Sequence, residues 1–154
     1  MKADVIRFFV VGLLISLLQK VSIGQSVQFN NLSIKEGLSQ NTVTAIMQDD
    51  RGFIWAGTRD GLNRYDGRSF VVFRHDKSDS TTLSNNSITS LLQSNDGHIW
   101  IGTAFGLNRL NARTLSVQTY FHWFEDSLSI SSNTITSLIQ DREGILWIGT
   151  ELTK

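Results

Sequence analysis

An all-β protein assembled from tandem four-stranded units is what this sequence predicts, and three observations carry that expectation. The stretch "GFIWAGTRDGLNRY", Gly52 to Tyr65, returns as "GHIWIGTAFGLNRL", Gly97 to Leu110, and a third version, "GILWIGTELTK", opens at Gly144. The landmarks keep register: 45 residues separate Trp55 from Trp100 and 47 separate Trp100 from Trp147. The same two intervals relate Gly52, Gly97 and Gly144, then Gly57, Gly102 and Gly149, then Asn41, Asn86 and Asn133. Finally, Pro is absent while Gly, Ser, Asn and Thr are plentiful, a mixture that suits short strands joined by turns.

Composition narrows the chemistry before any motif is read. Lys plus Arg balances Asp plus Glu at 14 each, so no net field draws the chain to nucleic acid or to an anionic membrane. The chain has no Cys, which excludes disulfides, thiolate metal sites and cysteine nucleophiles.

Residues 1–24 read as a signal peptide. Lys2 and Arg7 precede the apolar run "FFVVGLLISLL", Phe8 to Leu18, which is about half the length a spanning helix needs. Ser22 and Gly24 are small residues at the positions cleavage requires, which makes Gln25 the first mature residue. An uncleaved anchor and a buried helix are the alternatives. A lead-in segment, 25–40, follows.

The first unit, 41–85, opens with "LSQNTVTAIMQ"; its counterparts are "LSNNSITSLLQ" and "ISSNTITSLIQ". The Ser and Asn residues are read as a local turn whose side chains hold nearby backbone. The strand that follows alternates, with Val43, Ala45 and Met47 on one face and Thr44 and Ile46 on the other. Ile88, Ser90 and Leu92, and Ile135, Ser137 and Ile139, repeat the first face. Apolar residues on both faces imply a sheet stacked between neighbours. A polar turn ending in Gly52, Gly97 or Gly144 is a hairpin signal. The second strand carries the Trp, whose body can fill the space between sheets while its indole N–H seeks an acceptor. Gly57, Gly102 and Gly149 on the same face leave room for another backbone. A third strand, "GLNRYD" or "GLNRLN", leads to a fourth in "SFVVFRH" or "LSVQTYFHW". Four strands in about 45 residues, in tandem, predict β-propeller blades. The second blade spans 86–132, and 133–154 reads as a truncated third, because "ELTK" replaces the expected continuation after Thr150. The expected fold is thus an incomplete propeller of two full blades and part of a third.

These residues resemble the two-component regulator propeller repeat, through Asn-x-[Val/Ile]-Thr-x-[Ile/Leu], then Gly-x-[Ile/Leu]-Trp-[Ile/Ala]-Gly-Thr, then Gly-Leu-Asn-Arg. The resemblance covers roughly residues 29–150, including the lead-in "FNNLSIKEGLSQNTV". It implies the periplasmic sensor region of a Bacteroidetes-type hybrid two-component histidine kinase. It implies further blades, an immunoglobulin-like domain, a membrane helix, a kinase core and a receiver elsewhere in the parent. A glycan-fragment ligand and a homodimer of the intact parent also follow from the resemblance alone. Trp-Asp repeat and quinoprotein propellers share the architecture, but their motif placement is absent.

The search for catalytic chemistry ends without a constellation. His75, His98 and His122 are read as lying at unrelated places in the repeat, without metal-ligand spacing. Asp49, Asp50, Asp96, Asp141 and Glu143 cluster at turns, where they cap and solvate. The pairs Asn63-Arg64 and Asn108-Arg109 either line a rim for an anionic sugar or serve blade architecture. Tyr120, Phe121, Trp123 and Phe124 belong to the second blade alone, and either stack on a ligand or pack under the outer strand. No cofactor, metal or enzymatic activity is expected. The alternatives to a sensor fragment are a short secreted module that closes a ring by self-assembly and the propeller of a secreted glycan-active enzyme.

Overall fold

The computed structural model describes residues 27–151, so the apolar run and the cleavage positions Ser22, Gly24 and Gln25 lie outside the described residues. The chain divides into Met1–Asn31 and Leu32–Lys154. The described residues of the first unit carry no regular structure, and every strand belongs to the second. That unit opens on a single 3₁₀ turn, Ile34–Glu36, fixed by a capping box. The Ser33 side chain accepts from the Lys35 N–H, and the Glu36 carboxylate takes the Ser33 N–H at 2.7 Å.

Ten strands follow. Blade 1 holds β1 (Val43–Gln48), β2 (Ile54–Thr58), β3 (Gly61–Tyr65) and β4 (Phe70–Phe73). Blade 2 holds β5 (Ile88–Gln93), β6 (His98–Thr103), β7 (Leu107–Asn111) and β8 (Val117–Tyr120). β9 (Ile135–Gln140) and β10 (Leu146–Thr150) pair as a third sheet. Each four-stranded sheet is an antiparallel meander in chain order, and β5 packs between β1 and β9. This is the all-β propeller architecture that the repeats predict. The β1–β2 hairpins turn through Gly52, Gly97 and Gly144 at φ of 87°, 80° and 87°, a region in which a side chain would be strained.

Alternation along the inner strand departs from the reading in one place. Val43 pairs with Thr58, but Ala45 pairs with Gly57, so a bulge falls between them, and β5 repeats it between Ile88 and Ser90. The extra residue, Thr44, extends its hydroxyl across the blade boundary to donate to the Ile88 carbonyl at 2.7 Å.

The core lies between blades 1 and 2. Trp55 is wholly buried there with Leu62, Ile88, Ile99, Ile101 and Leu110. Along the second strand of each blade, Trp55 or Trp100 faces the following blade, while Ile99 and Ile101 on the opposite side of β6 face the preceding one. Burial therefore depends on a neighbour. Trp55, covered by a complete blade, is 0% exposed, whereas Trp147, with no following sheet among the described residues, is 59% exposed. Each fully buried aliphatic or aromatic side chain in this layer contributes on the order of 1.5–3 kcal/mol, so the interface between blades carries much of the stability.

The glycines beside the tryptophans do not admit a backbone. A Cβ on Gly57 would lie 2.5 Å from Ile88 Cγ2, and one on Gly102 would lie 2.7 Å from Ile135 Cγ2. What they seat is a side chain: Ile88 of the next blade against Gly57, Ser90 and the next blade's Ile135 against Gly102, and Ser137 of the same sheet against Gly149.

The two unequal repeat intervals also have a structural cause. β3 and β7 pair their fourth strands through Leu62–Phe73 and Leu107–Tyr120, and the second hairpin is two residues longer. The longer turn runs through Asn111, whose carbonyl accepts from the Leu115 N–H, with Leu115 at φ 63°.

Candidate functional site

The repeated polar residues build a lattice of clasps between blades. Asn41, Asn86 and Asn133 do not hold nearby backbone: Asn86 Oδ1 accepts from the His75 N–H and Asn133 Oδ1 from the His122 N–H, each at 2.7 Å and across the blade junction. Their carbonyls reach back as well, Asn86 to the Gly61 N–H at 2.8 Å and Asn133 to the Gly106 N–H at 2.7 Å. Asn41 makes the matching bond to the Ile34 N–H, so the 3₁₀ turn stands in for a preceding blade.

The recurring Asn-Arg pair in the third strand separates into two roles. Asn63 and Asn108 are completely buried. Asn108 Oδ1 accepts from the Ser84 N–H at 2.8 Å, and its amide donates to Ser84 Oγ at 2.9 Å and the Ile101 carbonyl at 3.3 Å. Asn63 treats Ser39 and Ala56 in the same way. These groups are spent on architecture. The arginines beside them cover the tryptophans: Arg64 lies 4.8 Å from the Phe53 ring centroid and 5.8 Å from that of Trp55, and Arg109 lies 5.7 Å from that of Trp100.

The turn carboxylates are likewise committed. Asp49 does not solvate its turn. It is buried and accepts from Trp55 Nε1 at 2.9 Å and from the Arg51 and Phe53 N–H groups. Asp141 repeats this with Trp147 at 2.8 Å, and the indole N–H, with the Ile145 N–H, holds its carboxyl below the usual carboxylate range. Ser94 stands at this position in blade 2 and serves a different network. Its hydroxyl donates to Asp96, which also accepts from Arg109 Nη2 at 2.7 Å; the Ser94 bond is the chief cause that holds Asp96 well below the usual range. His98 Nδ1 lies 3.2 Å from both partners. Beside this group a mixed-charge recess of about 470 Å³ opens between the β1–β2 and β5–β6 turns, lined by Asp50, Arg51, Asn95, Asp96, His98 and Arg113.

The opposite end of the blades carries the loops from each fourth strand to the next inner strand. His75 and His122, read as unrelated, are equivalent here. Nδ1 of each lies 2.6 and 2.7 Å from the carbonyls of Leu83 and Ile130, and the longer β7–β8 hairpin hides their equivalence in the sequence. The aromatic group of blade 2 divides. Tyr120 packs on Trp100 and Phe121 on Phe105, both with centroids 5.7 Å apart, while Trp123 and Phe124 are exposed on a surface beside a recess of about 410 Å³. Among the described residues no three His, Asp or Glu side chains are placed to hold a metal ion, and the geometry is one of packing and contact surfaces.

Comparison with known proteins agrees with this geometry. The model of the two component regulator propeller matches residues 37–60, 82–105 and 129–151, each running from four residues before the repeated Asn to just past the second strand of a blade. These three stretches are two-component regulator propeller repeats. A 55-residue stretch is 46% identical to histidine kinase P4 of Formosa agariphila, covering 36% of this chain and 4% of that protein. Among solved structures, the extracellular domain of BT3049 from B. thetaiotaomicron, described as a hybrid two component system, superposes with a TM-score of 0.72 at 33% identity. The match covers 77% of this chain and 17% of that one. The extracellular domain of BT4673 from the same organism, described as a one component system, gives 0.62 at 26% identity over 80% of this chain and 18% of its own. The repeats here thus span less than a fifth of the relatives they match. Within the described residues of the regulator propeller, no helix is long and apolar enough to cross a membrane.

Proposed function

We propose that this chain supplies blades of a periplasmic, ligand-sensing propeller in a two-component sensor, and that the intact parent responds to glycan fragments and signals through a kinase elsewhere in its length. The similarity to the BT3049 extracellular domain, which covers 77% of this chain, carries this reading. The chemistry of the blades supports it. Buried groups such as Asp49 and Asn108 are consumed by hydrogen bonds within and between blades, and the surfaces left over offer contact residues rather than a nucleophile and base. Residues 1–24, read as a signal peptide, supply the export that a periplasmic location requires.

Two measurements test the reading. Alkaline phosphatase fused after residue 154 is active in cells if the chain is exported, and inactive fusions would exclude a periplasmic location. Calorimetric titration of the parent's whole extracellular region with a panel of plant and host oligosaccharides should give saturable heat with one glycan class. Flat titrations across the panel would overturn the glycan part of the proposal.

A further inference from the structure

The two loops that follow the fourth strands share one scaffold and differ in what they display. Position for position, the Asp76 N–H bonds the Thr82 hydroxyl as the Trp123 N–H bonds that of Ser129, at 2.9 and 3.0 Å. Asp79 Oδ1 takes the Thr81 N–H as Asp126 Oδ1 takes the Leu128 N–H, both at 2.9 Å. The two histidine clasps complete the match. On this constant frame, blade 1 carries Arg74, Asp76, Lys77 and Thr81 where blade 2 carries Phe121, Trp123, Phe124 and Leu128. The Arg74–Asp60 ion pair, 2.9 Å, becomes the Phe121–Phe105 ring pair. The scaffold places no demand for apolar residues, because blade 1 holds the same bonds with polar ones.

Nor is the patch merely waiting for a following blade. Asp76, Lys77 and Thr81 remain exposed although blade 2 is complete beside them, so the equivalent residues of blade 2 stay exposed when their own neighbour is complete. Trp123 is 64% exposed, Phe124 96% and Leu128 94%, an apolar cluster of the kind that marks a contact surface.

We propose that this surface, at the outer end of blade 2, docks a polypeptide segment that presents apolar side chains beside lysine or arginine. Between Thr119 and Ser132 the only carboxylates are Glu125 and Asp126 and no Lys or Arg is present, so the rim of the patch is acidic. A basic flank on the partner complements that rim, whereas a second copy of the patch would bring like charges together. Sugar recognition is poorly served, because Asp126 Oδ1 and Ser129 Oγ, at the edge of the recess, are already engaged within the loop.

The experiment uses the full chain and two fluorescent peptides of about 12 residues with identical leucine and tryptophan content, one spaced by lysine and one by glutamate. Anisotropy should report the lysine peptide binding about tenfold more tightly than the glutamate peptide. Transplanting the blade 1 residues, Trp123→Asp, Phe124→Lys and Leu128→Thr, should weaken it about tenfold more. Phe124→Lys alone, at a position that contributes nothing to the core, should weaken it about threefold, and guards against misfolding of the triple variant. Equal affinity for the two peptides, or equal binding by parent and variants, would overturn the proposal. A dimer that the triple variant dissociates, or a neutral oligosaccharide whose binding the variant abolishes, would assign the surface to another occupant and overturn it equally.

Discussion

Replacing Gly57 with alanine tests the packing between blades most directly. The new methyl would fall 2.5 Å from Ile88 Cγ2 and 2.9 Å from Ile88 Cβ, where apolar carbons settle at about 3.5–4.0 Å. Overlap of about 1 Å must therefore be relieved. A rotamer change clears only the first of these atoms, since Cβ is fixed by the backbone of β5, so the two blades have to part locally. Overpacking of this kind costs about 1–3 kcal/mol. Ile88→Ala, at a fully buried position, costs about 2–5 kcal/mol through lost burial and the cavity left behind. The double variant places the alanine methyl of residue 57 in part of the space that Ile88 vacates. Its destabilisation should fall short of the sum of the single variants by about 1–2 kcal/mol. Equilibrium urea unfolding followed by tryptophan emission measures all four species, with Trp55 as the buried reporter. Additivity within about 0.3 kcal/mol would show that the two residues do not meet, and would refute Gly57 as the seat of the next blade.

Further expectations concern the polar clasps, acid and association. Asn108→Ala leaves the Ser84 N–H and the Ile101 carbonyl buried without their partner and should cost about 2–4 kcal/mol, read as a lowered thermal midpoint. Asp49→Ala strips the buried Trp55 indole and two turn amides of their acceptor and should destabilise more than Asp141→Ala, whose partner Trp147 is exposed; the order of urea midpoints decides this. The turn carboxyls of Asp66, Asp76, Asp79 and Asp141 all titrate below the ordinary 3.8 when folded. The stability they contribute is fully present above that value and is lost as pH falls below it towards the lowered values, so an acid titration at constant temperature should show the fold weakening below about pH 4. The face of the third sheet with Ile145 and Trp147 exposed should make the isolated chain self-associate, and Ile145→Lys should reduce sedimentation of oligomers; a cooperative monomer from the unaltered chain would contradict this.

The blade plan was legible because one tryptophan, one glycine pair and one asparagine recur in register, and those residues do set the hairpins and the layer between sheets. Their partners were not legible. That Asn86 reaches His75 rather than its own turn depends on where blade 1 ends in space, which no local pattern states. The shared role of His75 and His122 was obscured by two extra residues in the β7–β8 hairpin, which offset everything after them. Alignment from Asn86 and Asn133 backwards, rather than from the tryptophans forwards, places the two histidines together and exposes the apolar substitutions at 121, 123, 124 and 128. The bulge at Thr44 escaped for a different reason: a β-branched run reads as regular alternation, and only the interblade bond to the Ile88 carbonyl explains why one residue is turned out. Asp49 was legible as a turn former and illegible as the acceptor for Trp55, since the two approach only once the hairpin closes.

The clasp made by Asn86 has a consequence for how such arrays can be divided. The written period, Asn41 to the residue before Asn86, is offset from the period of cohesion. Blade 1 has its last loop tied and its Gly61 amide satisfied only when Asn86 is in place, and its Trp55 is covered only when β5 and the later strands of blade 2 follow. In a deletion series, products ending near residue 85 should be loose and readily cleaved by protease, and those ending after the inner strand of blade 2 markedly less so. For a chain that emerges amino terminus first, each blade would be sealed late, by the arrival of its successor.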